Sequence, residues 1–344
     1  MLIGDVTARP PCAAWSQGGS VLHRLAISAL VVASALALGE LRTGGQTVDP
    51  GDAVVLVTLD GARTEEIFGG LDLDVLKSTL KEGQKVEEVP TYRTFWAPTP
   101  DERRRKLMPF FWRLVTEDGS IAGNVALGSE ASLTNRRLFS YPGYAEILVG
   151  QALDSAITSN DPIRNPEETV LEGLRRKRGL SREQVATFAS WDVFKAIAEH
   201  TEGATTINAG DEPLGIAGAE VALTNRLQHE TGSPWDHTRL DAFTVHQAMA
   251  YLESARPRIL YVALDETDDW AHDGRYDRLL DAYSRTDRWL ERLWTWLQAQ
   301  PDYRGRTHLL ITTDHGRGHT PEGWRHHGEK YPEAQGVWMA FVTP

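Results

Sequence analysis

Cysteine is almost absent from these 344 residues: Cys12 stands alone. One thiol forms no intrachain disulfide and no thiolate cluster, so any metal must be held by His, Asp or Glu. A basic excess is missing as well, with 36 Lys and Arg against 48 Asp and Glu and a formal net charge of −12. A protein that tracks a nucleic-acid backbone needs a basic stripe to neutralise phosphates, so binding of that kind is not expected. Nor is there an apolar run of the roughly 20 residues that span a bilayer. The most apolar stretch, Leu25 to Leu38, has 14 residues, follows His23 and Arg24, and contains Ala35-Leu36-Ala37. That is the form of a cleavable signal peptide over residues 1–37, with an uncleaved N-terminal anchor as the alternative. Cleavage after Ala37 would remove Cys12 together with Asp5, Arg9 and Arg24, leaving a cysteine-free chain of net charge −13. The leader predicts an exported protein, periplasmic or extracellular, without a stable membrane span once it is removed. Nothing in the sequence fixes an oligomeric state.

What is present is ordinary for a globular protein, 41% hydrophobic and 24% charged. Residues 38–50 read as a linker and 51–344 as one catalytic domain. From Gly51 onward, short β-branched runs alternate with longer amphipathic stretches. Strands are expected at Ala53 to Leu59, Ile121 to Leu127, Val185 to Phe188, Thr206 to Asn208, Ile259 to Leu264, His308 to Thr313 and Val337 to Val342. Helices are expected at Asp101 to Glu117, Tyr141 to Val149, Glu167 to Arg178, Trp191 to His200, Thr238 to Ser254 and Tyr276 to Gln300. Such alternation predicts an α/β fold, a mostly parallel central sheet with helices on both faces. In sheets of this kind ligands bind beyond the carboxyl ends of the strands.

Several strand ends carry chemistry. In VTLDGAR, Asp60 follows a buried strand and Gly61 lets the chain turn away; a turn or cap aspartate is the competing reading. In ITTDHGRGH, Asp314 and His315 stand side by side at another strand end, a pair suited to zinc or a similar divalent ion. In LDETDDWAH, Asp268 and His272 are four apart, which places both on one face of a helical turn, with Asp265, Glu266 and Asp269 as competing acids. Ser140, in FSYPGYAEILVG, lies just ahead of an expected helix whose first position suits Pro142. There a hydroxyl meets unpaired N–H groups and the positive end of the dipole, although a plain capping serine is more common. Finally WRHHGEKY offers His326 and His327 before Gly328.

The order of these motifs, with LMPFFW, SYPGYAEILVG, TDDWAHDGRY and TTDHGRG as they stand from Val54 to Phe341, resembles the alkaline phosphatase superfamily, in its branch of type I phosphodiesterases and nucleotide pyrophosphatases. The resemblance implies two divalent ions, zinc by preference and manganese as second choice, about 4 Å apart around a phosphoryl group. By motif, Asp60, Ser140, Asp314 and His315 would hold one ion, and Asp268, His272 and His327 the other. His327 is preferred to His326 because the family ligand directly precedes a glycine, and Asp268 to Asp265 because the family spacing to the histidine is four. It further implies a phosphoester hydrolase, phosphodiesterase or phosphomonoesterase, acting on a small phosphorylated substrate through a phosphoseryl intermediate. Asn160 or Asn165 lies where the family places an amide on a nonbridging phosphate oxygen. The chain departs from the diesterase branch in having serine rather than threonine as nucleophile, and relatives often continue past the point corresponding to Pro344.

Three rivals are weighed against this. A sulfatase shares the opening of Ser140-Tyr141-Pro142, but its maturation motif needs an arginine where this chain has Tyr144. A cofactor-independent phosphoglycerate mutase needs an inserted second domain and a cytoplasmic address. A non-catalytic exported binding protein would keep the fold without needing all seven of the expected nucleophile and ligand residues.

Overall fold

A computed structural model of the chain describes residues 51–344; the expected leader over 1–37 and linker over 38–50 lie outside the described residues. Seven strands form one sheet in the order β2-β7-β6-β1-β5-β3-β4. They are β1 (Ala53–Leu59), β2 (Gly119–Ala122), β3 (Val185–Ala189), β4 (Thr206–Ala209), β5 (Ile259–Leu264), β6 (Thr307–Thr312) and β7 (Met339–Val342). All neighbours pair in parallel except β7, which runs antiparallel to both β6 and β2. The α/β expectation is what the chain adopts.

The strands at the centre are buried on both faces, as their near-continuous apolar runs require. In β1 the two-residue period divides the side chains: Val55, Val57 and Leu59 join one core, and Leu56 joins the other. The first core lies under the helices Pro109–Asp118, Asp241–Ala255 and Tyr276–Ala299, and the second under Ser140–Val149, Val170–Arg178 and Phe194–Ile197. Trp289 and Trp296, two turns apart on helix Tyr276–Ala299, pack against the first.

Register decides where the site forms. Leu59 pairs with Leu264 and Thr58 with Thr312. Asp60, Asp265 and Asp314 therefore leave three adjacent strands at one level, at the carboxyl edge of the sheet.

Several element boundaries differ from expectation. The helix expected over Asp101 to Glu117 is two, Pro100–Leu107 and Pro109–Asp118, because Pro109 has no N–H to continue the first and its ring forces a break. The strand expected at Ile121 to Leu127 is the edge strand β2, and Val125–Leu127 form a 3-10 turn closed by left-handed Gly128. The helix expected over Trp191 to His200 shrinks to Phe194–Ile197. A helix at Ala219–Thr231 was not foreseen.

Candidate active site

Asp60 is drawn into the interior by β1, and its backbone N–H donates to Leu264 O at 2.8 Å. Its carboxylate, 1% exposed, accepts from Tyr144 Oη at 2.9 Å. Asp314 and His315 follow β6 and are fully buried. One oxygen of Asp314, Oδ1, accepts from Gly61 N–H at 3.0 Å, while Oδ2 is buried without a hydrogen-bond partner. His315 Nδ1 lies 2.9 Å from Gly316 O, which assigns the proton to Nδ1 and leaves a lone pair on Nε2. That lone pair points at oxygen: Nε2 is 3.4 Å from Asp60 Oδ1 and 3.4 Å from Asp314 Oδ2. Burial pushes the Asp60 carboxyl well above the usual range, with the charges of Asp314 and Asp265 adding to it, and burial raises Asp314 to about 6.

Ser140 closes this group, its Oγ 3.4 Å from His315 Nε2 and 3.5 Å from Asp60 Oδ1. The structure places it inside the helix rather than ahead of it, as the first residue of helix Ser140–Val149, with Phe139 at the cap position. Pro142 is consequently third rather than first. The helix can approach because residue 143 is glycine: a Cβ there would stand 2.2 Å from Asp314 O. Glu146, on the same helix, accepts from the backbone N–H groups of Thr134 and Asn135 and fixes the segment leading in. In that segment Leu138 takes a left-handed φ of 54°, a conformation costly for a branched residue. Its carbonyl accepts from Gly328 N–H at 2.8 Å and lies 3.3 Å from His327 Nδ1. This strained carbonyl thus ties the serine segment to the second histidine loop.

The second group adjoins the first. Asp268 and His272 stand on helix Glu266–His272, with His272 Nε2 3.1 Å from Asp268 Oδ2 and 2.9 Å from His327 Nε2. His327 Nε2 and His315 Nε2 are each 3.8 Å from Asp268 Oδ1. Burial pushes His327 far below the usual imidazole range, with His315, Arg317 and His272 adding to the shift. His326 turns away and stacks on Tyr331, ring centres 5.5 Å apart. Whereas the first group is sealed, the His272 side chain is 42% exposed, so the pair opens to solvent at its second half.

The residues fit divalent cations. Two sets, Asp60 with Asp314 and His315, and Asp268 with His315 and His327, each present ligand atoms within 4.8 Å of one another. Carboxylates held up by burial, a lone-pair nitrogen facing oxygens and an unpartnered Asp314 Oδ2 are all relieved by a positive ion between them.

The two asparagines separate by geometry. Asn160 Oδ1 accepts from Tyr141 N–H at 3.0 Å, beside Ser140. Asn165 is buried, donates through Nδ2 to Ile197 O and accepts from Glu167 N–H.

Sequence reasoning passed over two residues. Tyr144 holds Asp60 from the adjacent helix. Arg317, buried at 1% exposure, donates through Nη2 to both the carbonyl and the carboxylate of Asp268. Its signal was a charged residue held between Gly316 and Gly318, where a Cβ would strike the carbonyls of Gly336 and Gly323. Gly61 makes room for it, since its φ is +57° and a Cβ would meet Asp268 Oδ1 and Arg317 Nε.

The type I phosphodiesterase and nucleotide pyrophosphatase family model matches residues 184–342, the part of the chain that carries Asp268, His272, Asp314, His315 and His327. No curated protein sequence matches the chain. Among solved structures, a protein named as a sulfatase from Bacteroides thetaiotaomicron superposes with a TM-score of 0.51 at 12% identity, over 86% of this chain and 65% of that one. The lipoteichoic acid synthase LtaP from Listeria monocytogenes gives 0.49 at 11%, over 92% and 72%. Phosphonoacetate hydrolase from Sinorhizobium meliloti gives 0.46 at 15%, over 80% and 59%. The chain thus spans 59% of the hydrolase and 65% of the sulfatase in length. Over residues 184–342 the chain resembles the type I phosphodiesterase and nucleotide pyrophosphatase family, as its motifs implied.

Proposed function

We propose that the protein is a metal-dependent phosphoester hydrolase that works through a phosphoseryl intermediate on Ser140. The observation that carries this is the seat of the Ser140 hydroxyl. It is buried, first in its helix, and faces His315 Nε2 and Asp60 Oδ1. A serine kept for helix capping would direct its oxygen at the N–H groups of the first turn; this one is directed at ligand-type atoms.

Asp60, Ser140, Asp314 and His315 would hold one divalent ion and Asp268, His272 and His327 the other, with zinc the first expectation and manganese the second. When bound, such a pair lowers the pKa of an attacking oxygen and neutralises charge on the phosphoryl group. The chain's own part is orientation. Tyr144 and Asp60 hold one wall, and Gly143 lets the serine helix close on Asp314. The Asn160 amide, anchored through its oxygen, has N–H donors for a nonbridging phosphate oxygen. Ser140 Oγ attacks phosphorus, the bond to the leaving alcohol breaks, and water later cleaves the Ser140 phosphoester to regenerate the hydroxyl and release phosphate or a monoester. Export is proposed from the leader alone; among the described residues no helix is long and apolar enough to cross a membrane.

Turnover of bis-p-nitrophenyl phosphate, p-nitrophenyl phosphate and a sulfate ester by zinc-loaded and metal-stripped protein tests the reading. Phosphoester turnover that disappears with the metal is expected. Sulfate turnover alone would replace it with the sulfatase reading.

A further inference from the structure

The loop after β6 carries His315 near one end and His327 near the other. Two arginines stand just inside them, Arg317 two residues after the first histidine and Arg325 two residues before the second. Both reach across to the short helix Glu266–His272. Arg325 Nη2 donates to His272 O at 2.9 Å, at the last residue of the helix. Arg317 Nη2 donates to Asp268 O at 3.0 Å and also to Asp268 Oδ1. Near the start of the helix, Thr267 Oγ1 donates to Asp60 O at 2.6 Å and ties it to the end of β1.

The two arginines differ in setting. Arg325 is exposed, whereas Arg317 is 1% exposed, and its Nε and Nη1 are buried with no hydrogen-bond partner among the described residues. A buried guanidinium with two of its three nitrogens unsatisfied is a poor source of stability, so its position calls for another reason. The backbone beneath it is fixed on both sides: Gly316 N–H donates to Ala334 O at 2.8 Å, and Gly318 O accepts from Arg63 Nη1 at 3.1 Å. From that fixed base one nitrogen grips both the carbonyl and the carboxylate of Asp268, which stops the side chain from turning. The grip also distinguishes the two oxygens. Oδ1 is taken by the arginine, while Oδ2 lies 3.1 Å from His272 Nε2, itself 2.9 Å from His327 Nε2.

We propose that Arg317 is the positioning residue of the second ligand group: it clamps Asp268 so that Oδ2 is presented, together with His272 and His327, to a divalent ion. The inference rests on the ligand assignment above and concerns the protein's affinity for the ion rather than the chemical step.

The test is calorimetric titration of zinc into metal-stripped wild type, R317M and R317K. Methionine removes the charge and the grip together. Lysine keeps the charge on a shorter stem without the planar fork, and so separates the two. In both variants the second equivalent should bind about 10–100-fold more weakly, the usual effect of losing a group that orients a metal ligand, while the first binds as in the wild type. An arginine that served the fold alone would weaken both equivalents alike. That result, or a second equivalent as tight in R317K as in the wild type, overturns the proposal. If R317M does not fold, R317K decides by itself. A wild type that takes up fewer than two equivalents removes the ligand assignment as well, whereas two equivalents bound equally by all three proteins removes only the role of Arg317.

Discussion

At the scale of single residues, Ser140 carries two separable quantities. Because its hydroxyl contacts Asp60 and His315 rather than a backbone N–H, Ser140→Ala should fall below the roughly 0.5–2 kcal/mol cost of losing a cap, with a melting temperature near that of the wild type and metal retained. Turnover should drop by orders of magnitude, as for other covalent nucleophiles; a variant with near-normal turnover would reduce Ser140 to a structural role. The ligands give a pH dependence. Asp314 is raised to about 6 chiefly by burial, so in the cation-free protein a proton competes with the ion below that pH and metal affinity should climb as pH rises through 6. Protein dialysed at pH 8 should keep its metal and protein dialysed at pH 5 should lose it. Equal content at both would show that Asp314 is no ligand. Much of this site was legible in the sequence because strand-end acids and histidines announce themselves beside glycine. His326 and His327 both stand out beside Gly328, and the structure separates them: His327 Nε2 lies 3.8 Å from Asp268 Oδ1 while His326 stacks on Tyr331. Asn160 and Asn165 were indistinguishable, since only the fold shows that one amide reaches Tyr141 while the other is spent on Ile197.

At the scale of elements, the site depends on how closely helix Ser140–Val149 meets the loop after β6. Gly143→Ala inserts a methyl group 2.2 Å from Asp314 O, against backbone that has nowhere to retreat. Overpacking of this kind costs about 1–3 kcal/mol, and the helix must shift, carrying Ser140 away from His315. The expected result is a lower melting temperature together with a loss of turnover beyond what destabilisation explains, measured well below the transition. Full activity in Gly143→Ala would show that this contact does not set the position of the serine. The buried strands were legible because each is a short run of mostly apolar and β-branched residues. The sequence pattern failed where local chemistry overrode it. Pro109 cut a continuous amphipathic stretch, and the apolar Val125 to Leu127 looked like strand but face solvent on a turn. The helix Ala219–Thr231 went unseen because only Val221 and Gln228 of its 13 residues are buried, leaving no apolar stripe to read.

At the scale of the whole molecule, parallel packing on two cores gathers residues from positions 60 to 327 onto one edge, where each acid or histidine taken alone would be unremarkable. The two candidate groups adjoin, His315 Nε2 lying near both Asp60 and Asp268, and on the proposed reading they should act together. Asp314→Ala and His272→Ala are each expected to abolish most turnover while the fold persists, and the double variant should be little worse than either, because residues that act as a unit are non-additive. Independent, multiplicative losses would contradict a joint centre. Metal titration of the stripped protein should restore activity only as the second equivalent binds.

The most direct measurement is an acid quench of the zinc-loaded enzyme during turnover, followed by digestion and mass spectrometry of the peptides. A phosphate on the peptide containing Ser140, absent without substrate and absent in Ser140→Ala, is the predicted result. Turnover without any phosphopeptide in the quench, from an enzyme whose Ser140→Ala variant also turns over, would contradict a serine nucleophile and point to direct attack by water.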